Sequence, residues 1–227
     1  MQRSLGLSWN LRADTFTFGV PARDTPSTRR GVLSTVNSLY DPLGMTAPVT
    51  VQGRLLLREL TSCAIDCDAP LVLDDEWQTW KDSLRALQRL EIPRRYVAES
   101  ATNDRRREIC VSSDASEKII AAVAYIRVTD SKGTPHVGFV FGKAKLAPQP
   151  EQTIPRLELC AAVLAIEIAE LVINEIDVRI KDVRYYTDSK VALGYICNQS
   201  RPFYVCQQSR QQNKEAHETR TVALRPD

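Results

Sequence analysis

Nowhere does the sequence run to about 18 apolar residues without a charge, the length a bilayer-crossing helix needs. Met1 to Asn10 also lack the basic stretch, apolar stretch and small-residue cleavage site of a secretory leader. The expectation is an intracellular protein, cytoplasmic or nuclear, with no membrane partner. A metal-binding cysteine pattern is missing too. Of six cysteines, the closest pair is Cys63 and Cys67, which has neither the two-residue spacing of a zinc knuckle nor a nearby His or second pair to complete four ligands. Cys110 and Cys160 sit in apolar runs, where a thiol behaves as a small core residue, so the thiols read as reduced. Charge of one sign is lacking as well. Thirty Lys and Arg against 28 Asp and Glu leave +2, so any electrostatic case for a nucleic-acid partner must be local.

What is present is ordinary globular composition, 43% hydrophobic and 26% charged over 227 residues, which excludes wholesale disorder and allows one large domain or two small ones. Residues 1–91 read as a small helical module. Asp14 to Val20 alternates as a short strand, and Thr28 caps a helix over Arg29 to Leu39 that the Asp41-Pro42-Leu43-Gly44 turn ends. Pro48 opens a second helix carrying Leu55, Leu56, Leu57 and Leu60. A third follows Asp74-Asp75, with Trp77, Trp80, Leu84 and Leu87 at helical spacing, the tryptophans read as core. Residues 92–107, with Arg94, Arg95, Arg105, Arg106 and Arg107, are polar and aperiodic, a basic linker. Beyond it the order is strand, strand, strand, helix, strand, helix: Ile109 to Ser113, Ile119 to Val128, His136 to Leu146, Ile154 to Ile176, Val183 to Thr187 and Ser189 to Cys197. A hairpin turn at Asp130 to Gly133 makes the first three an antiparallel meander. A right-handed crossover then places the fourth strand parallel to the first and beside it, an α/β fold with a mixed sheet. Residues 206–227 show no apolar period until Val222 and read as a divergent, disordered tail.

Asp114 ends the first of these strands and Asp188 the fourth, and parallel neighbours bring their carboxyl ends together. On the helix, Glu158 shares a face with Ala162, Ala165 and Ala169, roughly half a turn from the solvated stripe of Glu167, Glu170 and Asn174. It therefore points at the sheet. Three carboxylates so gathered need protons or cations, and magnesium, a hard ion with a preference for oxygen ligands, suits them.

Ser113-Asp114-Ala115-Ser116, Arg156-Leu157-Glu158-Leu159 and Tyr186-Thr187-Asp188-Ser189-Lys190 resemble the first three acidic motifs of type 1 ribonuclease H. With Asn37 to Gly44 upstream and Ile154 to Leu159 within, the chain from about Leu5 to Val205 resembles the Pol polyprotein of BEL/Pao-type LTR retrotransposons. The resemblance implies that residues 1–91 correspond to the thumb and connection region of a reverse transcriptase. Residues 108–205 would be its ribonuclease H-like domain, hydrolysing the RNA strand of RNA/DNA hybrids with two Mg2+ ions, Mn2+ substituting. By position Asp114 bridges both ions, Glu158 binds one and helps place the water, and Asp188 binds the other. Arg105, Arg106, Arg107, Ser116, Arg156 and Lys190 are the implied nucleic-acid contacts, and upstream reverse transcriptase domains the implied protein partners. The family's fourth acid lies on a helix after a fifth strand, for which this tail offers only Glu215 and His217, so the activity is expected to be impaired. The alternative from another class is a non-catalytic nucleic-acid-binding or structural module. Two other acidic motifs fail on their own terms: Asp188-Ser189-Lys190 lacks the glycine of an aspartic peptidase, and Asp74-Asp75 lacks the preceding aromatic residue of a polymerase palm.

Overall fold

The computed structural model describes residues 2–4, 7–20, 25–61, 66–71, 75–96 and 106–196. The chain divides into two compact units: Met1–Tyr96 with Phe141–Leu146, and Val97–Val140 with Ala147–Asp227. Cys63, Asp74, Arg105 and the segment from Cys197 onward, with Glu215 and His217, lie outside the described residues.

The first unit contains the three expected helices, α1 (Arg29–Val36), α2 (Ala47–Thr61) and α3 (Asp75–Ala86), the last continued by a 3-10 turn over Leu87–Arg89. Thr28 caps α1, its hydroxyl accepting the Gly31 N–H at 3.1 Å. Beyond the helices the unit holds a sheet of which the sequence pattern showed only the strand within Asp14 to Val20. Strands β1 (Gln2–Ser4), β2 (Leu7–Asn10), β3 (Thr15–Thr17) and β4 (Glu91–Pro93) pair antiparallel in that order. Strands of three or four residues are too short to display a period of two, and β4 reaches β3 from more than seventy positions away, which no local window can see. Trp77 and Trp80 are core, stacked with ring centroids 5.0 Å apart. The Trp80 indole donates to the Val49 carbonyl at 2.8 Å, and only glycine fits at Gly53, where a Cβ would sit 2.3 Å from the Trp80 ring.

The Asp41-Pro42-Leu43-Gly44 segment does more than stop a helix. Asp41 accepts the Met45 N–H at 3.0 Å and both the N–H and hydroxyl of buried Thr46 at 2.6 Å. Gly44, at φ +75°, lies against the backbone of Gly142, whose N–H donates to the Leu43 carbonyl at 2.9 Å. A side chain at Gly44 would overlap the Gly142 carbonyl, so both conformation and space demand glycine.

In the second unit a four-stranded mixed sheet runs β7-β6-β5-β8, formed by β5 (Arg106–Ala115), β6 (Ile119–Thr129), β7 (Pro135–Leu146) and β8 (Asp182–Tyr186), with the last six residues of β7 belonging to the first unit. β5 and β6 are antiparallel and β5 and β8 parallel, in register Glu108 to Asp182 and Ser112 to Tyr186. Between β7 and β8 the chain crosses over as α4 (Ile154–Glu175), and α5 (Lys190–Ile196) follows β8. This is the ribonuclease H-like mixed sheet.

The linker expectation over 92–107 needs correcting at both ends. Ile92 and Pro93 belong to β4, and Arg106 and Arg107 open β5, opposite Thr129 and Val128. A triple arginine reads as solvated by composition, yet strand pairing holds these two and a buried acid holds Arg106.

Alternation sorts the sheet's faces. Ile109, Val111 and Ser113 of β5 and Ile120, Ala122, Ala124, Ile126 and Val128 of β6 are buried. Against β5 and β6 α4 packs, and its own buried residues include Leu157, Ala161, Ala165, Ile168, Ala169 and Val172. Each large aliphatic side chain so buried contributes about 1.5–3 kcal/mol, and the alanines let helix and sheet approach closely. On the opposite face at the start of β5, Glu108 is only 2% exposed. It accepts from Arg106 Nε at 2.8 Å and Arg184 Nη2 at 3.1 Å, with Arg127 Nη1 at 3.6 Å, while Arg106 also reaches Asp182 at 2.7 Å. Removing a buried acid that faces three guanidinium groups leaves their charges uncompensated. Glu108→Ala is expected to cost roughly 1.5–3 kcal/mol, the worth of hydrogen bonds to a charged group whose arginine partners stay partly solvated, read as a lower urea midpoint with unchanged slope; a midpoint within error of the parent would show that the cluster adds nothing to stability.

Candidate metal centre

Two residues past the last registered pair of β5 and β8, Ser112 opposite Tyr186, the two strands reach Asp114 and Asp188. Both are exposed. Glu158, on the second turn of α4, comes in from the helix layer and is 7% exposed. Carboxylate oxygens of the three lie within 4.8 Å of one another.

Local chemistry fixes each acid. The Ala115 N–H donates to Asp114 Oδ1 at 2.7 Å. Either side of Asp188, Thr187 Oγ accepts the Ser189 N–H at 3.2 Å and Ser189 Oγ accepts the Ala192 N–H at 3.2 Å, closing the turn into α5. Burial pushes the Glu158 carboxyl above its ordinary value, and the charges of Asp114 and Asp188 push it further, against the lowering by the Ala115 amide. Its Oε2 is buried without a hydrogen-bond partner. A buried orphan acceptor costs on the order of 1–3 kcal/mol, and here two further carboxylates aggravate it. A proton relieves that cost at low pH; a hard divalent cation relieves it at neutral pH. Three carboxylates with open oxygens are the donor set magnesium or manganese takes, so the residues fit the ion.

A protein-family model described as Pao retrotransposon-like RNaseH-like domain matches residues 28–189, well over half of the chain and inclusive of all three acids. The chain belongs to this family. No curated protein matches this chain. Among solved structures, that of a foamy viral protease-reverse transcriptase in complex with double-stranded DNA aligns with 73% of this chain and 26% of its own, at 13% identity and a TM-score of 0.39. This chain thus spans about a quarter of that protein's length, and the likeness is too slight to carry anything further.

The expected nucleic-acid residues fall into two groups. Ser116, Arg156 and Lys190 are exposed, and each lies two positions from one of the acids. Arg106 and Arg107 open β5, eight and seven residues before Asp114; at about 3.3 Å per residue that is roughly 23–26 Å away. There Arg106 is engaged by Glu108 and Asp182. Arg105 lies outside the described residues. Glu108 itself escaped the sequence reading, although a signal existed: it shares the strand face of Cys110, Ser112 and Asp114, with Arg184 on the paired strand. On that face Cys110 Sγ and Tyr186 Oη lie 3.9 Å apart, both pushed upward in pKa by burial.

The raised pKa of Glu158 has a definite sign. The folded state prefers its proton, so the associated stability is complete below the ordinary value of 4.5 and is lost as pH rises through the folded value. Without divalent metal, Glu158→Gln is therefore expected to melt higher than the parent at pH 7, the gap closing as pH falls below 4.5. Melting curves in EDTA across pH check this, and a gap independent of pH would contradict the burial of an ionised Glu158.

Proposed function

We propose that the second unit is a ribonuclease H-type nuclease acting on the RNA strand of RNA/DNA hybrids, with Asp114, Glu158 and Asp188 as its metal-holding catalytic residues. The observation that carries this reading is the convergence of the three carboxylates within 4.8 Å, one of them buried with an orphan oxygen. Bound Mg2+, or Mn2+ in its place, would supply a water of lowered pKa and charge neutralisation at a phosphodiester. Asp114 and Asp188 open the site to solvent and to a phosphate backbone, while Glu158 closes its floor and keeps one carboxylate out of competition with bulk water. Arg156, Lys190 and Ser116, exposed and each two positions from one of the acids, would contact the nucleic acid. Arg106 serves Glu108 instead of nucleic acid. The first unit is proposed to correspond to the thumb and connection region of a reverse transcriptase, with the upstream polymerase domains of the same polyprotein as partners. No helix among the described residues is long and apolar enough to cross a membrane, in keeping with an intracellular setting.

The ribonuclease H pattern uses a fourth acid on a helix after a fifth strand, and the sequence after Val205 offers only Glu215 and His217 for it, which supports a weakened activity. Three acids hold one cation well and a second poorly. The test is cleavage of a labelled RNA/DNA hybrid by the full chain, with duplex RNA as control. Weak cleavage is expected in Mg2+, with more in Mn2+ and more again when a strand and an Asp-bearing helix are appended after Val205. Asp114→Asn is expected to abolish the remaining cleavage and to leave hybrid affinity equal or higher, since a negative charge facing phosphates is removed. Strong cleavage by the unaltered chain in ordinary Mg2+ would refute the missing-ligand argument, and undiminished cleavage by Asp114→Asn would refute the site.

Phosphate contacts release counterions, so hybrid affinity in EDTA is expected to fall with salt. Arg156→Ala and Lys190→Ala should each reduce the slope of log K against log salt by up to about one, while Arg107→Ala should leave it unchanged. A slope lowered by Arg107→Ala and untouched by the other two would move the nucleic-acid path to the far end of β5.

A further inference from the structure

The three acids are not held alike. Asp114 is a registered member of the β5–β6 ladder, opposite Ala121, and Glu158 lies within the 22-residue helix α4. Asp188 belongs to neither kind of element. Registered pairing of β8 with β5 ends at Tyr186, and α5 starts at Lys190, its first closed turn running from the Ser189 carbonyl to the Leu193 N–H at 3.0 Å. Among the described residues no backbone–backbone turn bond spans Asp188. A side chain does so instead: Thr187 Oγ accepts the Ser189 N–H at 3.2 Å, closing a ring that contains both backbone torsions of Asp188. The other hydroxyl of this turn, Ser189 Oγ, accepts the Ala192 N–H at 3.2 Å and so acts on the helix side of Asp188.

We infer that Thr187 is a positioning residue for Asp188: its hydroxyl, by closing that ring, holds the Asp188 carboxylate against the other two acids. The inference rests on the metal-binding reading of Asp114, Glu158 and Asp188 and adds to it a role for a hydroxyl that bonds the backbone. Asp188 is exposed, and with its carboxylate oxygen within 4.8 Å of those of Asp114 and Glu158, like charge pushes it outward into water. Strand and helix ladders restrain its two neighbours against the same repulsion; for Asp188 the Thr187 ring takes that part. With the ring open, the Asp188 backbone samples other torsions, and a cation must gather it back. Pre-set geometry of this kind shows as metal affinity, because disorder removed beforehand need not be removed on binding.

The experiment measures Mn2+ affinity of the full chain without nucleic acid, by titration at a temperature well below melting, for Thr187→Val, Thr187→Ala, Thr187→Ser, Ser189→Ala and Asp188→Asn, with melting in EDTA recorded alongside. One lost hydrogen bond corresponds to about a 3- to 10-fold change, so Thr187→Val, which keeps the shape and removes the hydroxyl, is expected to bind Mn2+ that much more weakly. Thr187→Ala should show the same loss by a second route. Thr187→Ser keeps the acceptor for the Ser189 N–H and should stay within about twofold of the parent. Ser189→Ala should also stay within about twofold, since its lost bond lies beyond Asp188 and the Leu193 N–H still reaches the Ser189 carbonyl. Unchanged Mn2+ affinity in the Val and Ala variants, with binding weakened in Asp188→Asn, would overturn the positioning role and leave the metal site standing; a lowered melting temperature at that unchanged affinity would make Thr187 structural only. A loss in Thr187→Val that Thr187→Ser shares, or an equal loss in Ser189→Ala, would overturn it as well. Mn2+ binding unaffected by Asp188→Asn would refute the metal reading itself.

Discussion

The parallel pairing of β5 with β8 is the constraint on which the candidate site depends. Antiparallel strands would send Asp114 and Asp188 to opposite edges of the sheet; parallel ones must end together. Parallel neighbours cannot be joined by a tight turn, so the chain needs a crossover, and here the crossover is α4. The helix therefore starts at the end of the sheet where the strands finish, which is how Glu158, on its second turn, comes within reach of two residues far from it in sequence. Backbone topology alone gathers three negative charges against their mutual repulsion.

Along β5 the chain handles buried charge in two ways. At its start Glu108 is surrounded by Arg106, Arg127 and Arg184, with Asp182 alongside, and the group is compensated from within the chain. Near its end the acids face one another, and the nearest hydrogen-bond help is a backbone amide. A compensated group of that kind is structural and gives a ligand little to gain. An uncompensated one raises the free energy of the empty protein and so lowers it on binding of the counter-charge. The same strand thus separates a structural pole at Glu108 from a chemical one at Asp114, six residues on, which explains why an arginine-rich stretch adjacent in sequence to the site is remote from it in space.

The second unit was largely legible in the sequence because its elements are long. Ten- to twelve-residue strands and a 22-residue helix carry their periodicities openly, and the alanine face of α4 identified the side on which Glu158 lies. Asp114 and Asp188 became meaningful only through topology, and topology followed from element order and the handedness of crossovers. The first unit was half legible. Its helices announce themselves through caps and aliphatic spacing, whereas its sheet is built from strands of three and four residues that pair across the unit. Arg106 shows the other limit: composition describes a residue's solubility, and its partners Glu108 and Asp182 come from strand register, which composition does not contain. Ser116 lay between these cases, visible beside Asp114 as a neighbour but with its turn-closing bonds to Ile119 hidden until the hairpin was drawn.

The depth of Glu158 has a consequence that the two aspartates do not share. Asp114 and Asp188 lose little solvation on folding, so binding a cation there exchanges one set of oxygen contacts for another. Glu158 sits among Leu157, Ala161 and Ala162, close to the sheet because alanines permit it, and its desolvation is already incurred when the chain folds. A ligand that binds the folded chain and not the unfolded one adds its binding free energy to stability, and it adds most where it cancels a cost the fold carries alone. The alanine stripe, by lowering α4 onto the sheet, therefore ties occupancy of the site to the stability of the whole second unit. A larger residue at Ala161 or Ala165 would lift the helix, hydrate Glu158 and loosen that tie, even with all three acids in place.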